Sequence, residues 1–130
     1  MKRNSGFTLL ELIVVLIIIG ILGTFGFVQY TRTIEKGRAA EAKSILGTLR
    51  TLEATYNQEQ GTYANVATLG VGIPDTACNT GYFFMYQCAV ATGTCTATRC
   101  TSGGKTPNYT SVYTITLDQS GAWGGTVGYY

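Results

Sequence analysis

The hydrophobic pattern divides the chain into three parts. From Phe7 to Val28 it reads FTLLELIVVLIIIGILGTFGFV, twenty-two residues with one charge, Glu11. At about 1.5 Å per residue a helix of this run measures roughly 33 Å, enough to cross a bilayer. From Arg32 to Gln60 the pattern turns amphipathic: Ile45, Leu49, Leu52 and Tyr56 fall at i, i+4, i+7 and i+11, with Ala42 and Leu46 beside them. Gly61 supplies a stop. An unbroken helix over both runs would span roughly 80 Å.

From Thr62 onward the composition changes, and only Asp75, Arg99, Lys105 and Asp118 are charged. Residues 62–81 read as a loop with one short helical turn. Tyr82–Ala91 is a strand candidate on its aromatics, and Asn108–Leu117 alternates more cleanly. Asp118-Gln119-Ser120-Gly121 reads as a turn and Ala122–Val127 as the returning strand. The expectation is an α+β protein: a long N-terminal helix, half membrane-spanning and half amphipathic, packed against three or four antiparallel strands. Sheet face and helix stripe would bury each other, since neither is stable exposed.

Glu11 is the chemical anomaly in this pattern. An ionisable group in a membrane segment is costly and usually has a partner or a task. Before it stand Lys2 and Arg3, which favour a cytoplasmic N-terminal flank and place the bulk of the chain outside. The apolar core exceeds the 7–15 residues of a secretory signal and no A-x-A site follows it. Cutting ahead of the core, between Gly6 and Phe7, would leave the membrane segment in place with a new amino group on Phe7.

GFTLLELIVVLIIIGIL, with Gly6, Phe7 and Glu11 at this spacing, resembles the class III leader and N-terminal helix of type IV pilins and type II secretion pseudopilins. The resemblance is strong over about thirty residues, looser at Gly61–Ala64, and holds in outline beyond. It implies leader cleavage after Gly6 by a prepilin peptidase, N-methylation of Phe7, and a helical homo-oligomeric filament built on an inner-membrane assembly platform. The acidic fifth mature residue, matched by Glu11, would pair with a neighbouring subunit's terminal ammonium. The expected organisation is a leader at 1–6, a transmembrane and filament-core helix at 7–29, its amphipathic continuation at 30–61, and an extracytoplasmic loop and sheet region at 62–130. Before assembly the chain would cross the inner membrane once; afterwards it would lie in a surface pilus or a periplasmic pseudopilus. Many family members carry proline where Val28 stands, and here Gly20, Gly23 and Gly26 supply soft points instead. They also form a small-residue stripe that would let helices approach. Arg32, Glu35, Lys36, Arg38 and Glu41 would either face solvent or meet complementary charges on neighbours.

The four cysteines, Cys78, Cys88, Cys95 and Cys100, are even in number and lie in the outer region, which favours disulfides. Three connectivities are open; short local loops favour Cys78–Cys88 with Cys95–Cys100. A four-thiolate zinc site fits poorly, because only Cys95 and Cys100 approach the usual C-x₂₋₄-C spacing. No metal or other cofactor is expected. Nine Lys and Arg oppose seven Asp and Glu, and loss of Lys2 and Arg3 would leave seven against seven. That balance gives no basic surface for nucleic acid. Histidine is absent and no nucleophile–base pair stands out, so no catalytic residue is expected and the chain reads as a non-enzyme. Asn108-Tyr109-Thr110 matches a glycosylation sequon, Asp118 alone is a thin calcium ligand set, and the many aromatics fit packing. A membrane-tethered binding protein that does not polymerise is the competing reading.

Overall fold

The computed structural model describes residues 6–130, apart from the side chain of Val28. The residues fall into two compact units, one ending at Glu35 and one running Lys36–Tyr130. A single helix, α1, covers Leu9–Gln60 and contributes to both.

From Leu12 to Phe27 α1 is apolar all round apart from Thr24. An 18-residue window reaches a mean hydropathy of 2.6 with none of it buried. Every large hydrophobic from Leu9 to Phe27 is exposed, as expected of a surface whose solvent is lipid or another helix. Thr24 is the polar side chain that such surroundings must accommodate. Its hydroxyl donates to the Gly20 carbonyl at 2.8 Å, so it brings no open donor into the apolar run. The helix continues without a break through residues 20, 23, 26 and 28.

In the second unit the helix becomes one wall of a core. Its buried stripe is Ala39, Ala42, Leu46, Leu49 and Glu53, a 3–4 spacing that keeps one face inward. This stripe lies slightly to one side of the expected one: Ile45, Leu52 and Tyr56 flank it half-buried. The helix stops where Gly61 takes φ +73° and donates its N–H to the Asn57 carbonyl at 2.8 Å. A second helix of one turn, α2, spans Val66–Leu69. Asn65 caps it by accepting from the Thr68 N–H at 2.8 Å.

Four antiparallel strands follow in sheet order β1-β2-β3-β4: β1 Phe84–Cys88, β2 Cys95–Arg99, β3 Thr114–Leu117 and β4 Trp123–Gly125. Phe84, Tyr86 and Cys88 from β1, Cys95 and Ala97 from β2, and Ile115 and Leu117 from β3 form one core cluster with the helix stripe. The three strands expected from pattern are present but shorter. Residues 108–113 stay irregular, because the Tyr113 carbonyl takes the Arg99 N–H and the Cys100 carbonyl takes the Tyr109 N–H.

The strand not expected is β2. It is polar to a casual reading, yet Cys95, Ala97 and Arg99 are buried and the threonines between them are half-buried, the period of a pleated strand. The β1–β2 connection turns at Gly93, φ +67°, where an added Cβ would lie 2.6 Å from the Tyr63 ring.

Recognising β2 also corrects the cysteines. The bonds are Cys78–Cys100 and Cys88–Cys95, not Cys78–Cys88 with Cys95–Cys100. Cys88 stands opposite Cys95 in the β1–β2 register, with Cα atoms 4.0 Å apart. Cys95 and Cys100 instead lie along one extended segment, where five residues cover about 16 Å, beyond the roughly 7 Å a disulfide spans. The observed bonds close separations of 22 and 7 residues. In the chain-entropy model these are worth about 3 and about 2 kcal/mol.

Candidate assembly site

The candidate site begins at the head of α1. Gly6, Phe7 and Thr8 precede the helix, and the Phe7 side chain is 83% exposed. Among the described residues, nothing lies within 4 Å of where a Gly6 side chain would start. Met1–Ser5, which include Lys2, Arg3 and most of the expected leader, lie outside the described residues.

Glu11 sits in the first turn of α1, exposed, and it is engaged with Thr8. The Glu11 N–H donates to Thr8 Oγ1 at 3.3 Å, and the Thr8 N–H points back to Glu11 Oε2 at 3.5 Å. This is a reciprocal capping box, T-x-x-E, which occupies two donors that a helix start leaves open. Thr8 was not singled out by the sequence reading, although Thr followed three residues later by Glu before an apolar run is a recognisable signal. The helix dipole adds to the arrangement, since a carboxylate is favoured at this end. Glu11 is thus presented on the surface of an apolar helix, at the end nearest Phe7.

Further along α1, Arg32, Lys36 and Glu41 are exposed, as either of their two expected roles requires. Glu35 is not: at 1% exposed it is withdrawn from any partner outside the chain. Arg38 is half-buried, its guanidinium carbon 5.0 Å from the Phe83 ring centroid.

The outer region is held by polar contacts that its composition conceals. Arg99 is 1% exposed, and its guanidinium donates to the carbonyls of Phe83, Cys100 and Pro107 at 3.0, 3.1 and 3.0 Å. It also lies 5.3 to 5.8 Å from the ring centroids of Phe83, Phe84 and Tyr109. Burying a cation is tolerable where its planar fork meets acceptors and aromatic faces. Arg50 donates from Nε and Nη2 to the Gln119 carbonyl at 3.2 and 3.1 Å, and Gln119 donates to the Gly93 carbonyl at 2.8 Å. One helix side chain therefore ties down both hairpin turns.

Asp118 is occupied by its own turn. Its Oδ1 accepts from the Ser120 hydroxyl at 2.6 Å and the Ala122 N–H at 2.8 Å, and these bonds, the hydroxyl first, lower its pKa. Asn108 and Thr110 of the sequon are both exposed.

Two comparisons bear on this arrangement. Residues 1–27 match the family model of the prokaryotic N-terminal methylation motif. The chain is also 32% identical over 93 residues to the type IV major pilin protein PilA of Myxococcus xanthus (strain DK1622). The alignment covers 72% of this chain and 40% of that protein, so the chain spans less than half of the relative's length.

Motif and identity together support the type IV pilin family.

Its α+β architecture, a long apolar-headed helix with a four-stranded antiparallel sheet, is the pilin fold. The membrane-length helix and the methylation motif together fit a membrane-anchored pilin. The match also gives the geometry at Gly6, Phe7 and Glu11 a chemical context: the motif spans Gly6, the exposed Phe7 and a carboxylate in the first turn of the helix.

Proposed function

We propose that this chain is the structural subunit of a type IV pilus-like filament. Residues 1–6 are a leader held on the cytoplasmic side by Lys2 and Arg3, and the helix from Phe7 crosses the inner membrane once. A prepilin peptidase cuts between Gly6 and Phe7, and the new amino terminus is methylated. Subunits then leave the bilayer sideways into a helical filament on an inner-membrane platform, apolar helix against apolar helix. Glu11 pairs with the Phe7 ammonium of a neighbour, and residues 62–130 face outward.

The observation that carries this reading is the exposed Glu11 carboxylate on an otherwise apolar helix. A charge in that position is unfavourable in hydrocarbon until a cation meets it, and the cation at hand is an amino terminus that exists only after cleavage. The reading as a pilus, ahead of a type II secretion pseudopilus, rests on the relative being a type IV major pilin. Electron microscopy and mass spectrometry of filaments sheared from cells test the proposal. The expected result is filaments whose main component is this chain, beginning at N-methylated Phe7. A chain that stays monomeric in the membrane at normal abundance would instead support the tethered binding protein.

A further inference from the structure

The sheet ends in β1 on one side and β4 on the other, and the chain treats these two edges differently. On β1 the outward Tyr86 N–H is taken by the Pro74 carbonyl at 2.8 Å, so the chain itself covers part of that edge. On β4 the Thr126 N–H bonds the Thr114 carbonyl, and the Ala122 carbonyl takes the Asp118 N–H. Those two bonds fix the even-numbered residues as the ones facing β3. The N–H and C=O groups of Trp123 and Gly125 therefore point away from the sheet. Among the described residues, no segment pairs with that side. An open edge of this kind is a template for another chain, and proteins usually blunt it with a lysine, a proline or a covering segment. Residues 119–130 carry no charged side chain and no proline. Trp123 is 42% exposed, and Gly125 is exposed beside it.

We propose that β4 is a docking edge for a second copy of this chain, the two β4 strands pairing antiparallel about a two-fold axis at Gly124. In that register Trp123 of each copy stands opposite Gly125 of the other, and these pairs exchange the N–H···O bonds that each copy leaves open. The Trp123 ring then covers a glycine that has no side chain of its own, a cross-strand contact suited to an edge glycine. The edge is self-complementary and uncharged, so a like copy meets no repulsion, and a partner of opposite charge finds nothing to pair with. The size of the contact decides how it is used. A strand of three residues buries far less than the roughly 1,200 Å² of a stable interface, so one contact does not hold two free chains. Repeated along two adjacent filaments, many such contacts act together. A two-fold contact also suits neighbouring filaments, since subunits within one helical filament are related head to tail. The lateral role rests on the filament reading; the pairing itself does not.

The test uses cells expressing two full-length copies, one Ala122→Cys and one Thr126→Cys. These positions face each other in the proposed register at about 4.5 Å between Cα atoms, within disulfide reach. The four native cysteines are already disulfide-bonded. Membranes and sheared filaments are oxidised mildly and run on gels without reductant. The expected result is a cross-linked dimer from the mixed cells and none from cells carrying either variant alone. Trp123→Lys puts a charge on the edge, and Trp123→Pro removes the outward N–H while leaving the β3 ladder whole; each should abolish the cross-link. In electron micrographs both should turn bundled filaments into single ones at unchanged filament yield. The proposal is overturned by no dimer from the mixed cells, by an equal dimer from cells with one variant, or by cross-link and bundles surviving in both Trp123 variants. Wild-type filaments that never bundle would overturn the lateral role. A chain that makes no filaments yet gives the mixed dimer in membranes would fail the filament reading and keep the pairing.

Discussion

The Thr8 hydroxyl accepts the Glu11 N–H at 3.3 Å while the Glu11 carboxylate reaches back to the Thr8 N–H at 3.5 Å. Glu11 therefore has two separable properties, a cap within its own chain and a charge available to another. Glutamine can serve the same position of a capping box but carries no charge. Glu11→Gln should keep membrane insertion and processing yet sharply reduce filament yield, and Glu11→Ala should do the same. Thr8→Ala should cost about 1 kcal/mol at the helix start and leave filaments largely intact. Sheared-filament yield at matched membrane abundance decides, and wild-type yield from Glu11→Gln would remove the ion pair from the mechanism.

Gly6 is placed where a side chain would meet nothing among the described residues. Replacing it should leave the fold and membrane insertion unaltered, and any effect should appear in processing. Gly6→Val is expected to accumulate as unprocessed precursor, its intact mass retaining residues 1–6. Normal cleavage of that variant would move the cut elsewhere.

The disulfide pairing is open to direct mapping. Non-reducing digestion should yield linked peptides for Cys78–Cys100 and Cys88–Cys95. Removing the first pair should cost about 3 kcal/mol and the second about 2 kcal/mol by the loop-length argument. Peptides joining Cys95 to Cys100 would mean that β2 is not formed.

Arg99 closes the outer region by bonding three carbonyls from separate stretches of chain. Arg99→Ala leaves the Pro107 carbonyl open, at about 1–3 kcal/mol for a buried acceptor, while the Phe83 and Cys100 carbonyls keep the N–H groups of Cys100 and Tyr109. Thermal unfolding should show a loss of about 1–3 kcal/mol. Arg99→Lys should recover part of it, because an ammonium keeps the charge but lacks the planar fork.

Among the described residues, the Tyr86 hydroxyl oxygen is a buried atom with no hydrogen-bond partner. Burial raises its pKa, with the charges of Glu41 and then Tyr82 adding to the effect. A folded pKa above the unfolded value of 10.0 means its neutral form favours folding at lower pH, and that contribution is lost as pH climbs past 10.0. Tyr86→Phe should be neutral or stabilising by about 1 kcal/mol near pH 7 and should soften the alkaline fall in stability. Denaturation curves at pH 7 and above pH 10 check both parts, and marked destabilisation at pH 7 would show that the hydroxyl has a partner.

Much of this protein was legible in its residues because the signals are local. An apolar run of membrane length, a 3–4 stripe, a glycine stop at 61 and the spacing of Gly6, Phe7 and Glu11 need no knowledge of distant contacts. They determined the helix, its two characters and the family resemblance. The turn at Asp118–Gly121 was equally local.

Tertiary structure decided what depends on neighbours far along the chain. Strand β2 exists because Cys95, Ala97 and Arg99 find β1 and β3 on either side and the helix beneath, and its threonines alone do not announce it. Once β2 is in register, Cys88 must face Cys95, and the shorter-loop pairing becomes geometrically impossible. The same packing buries Glu53 and Arg99, charged groups whose burial the residue pattern gives no sign of. A charge can be hidden only where other parts of the chain supply its acceptors and donors, and that supply is fixed by the fold, not by the residue's neighbours in sequence.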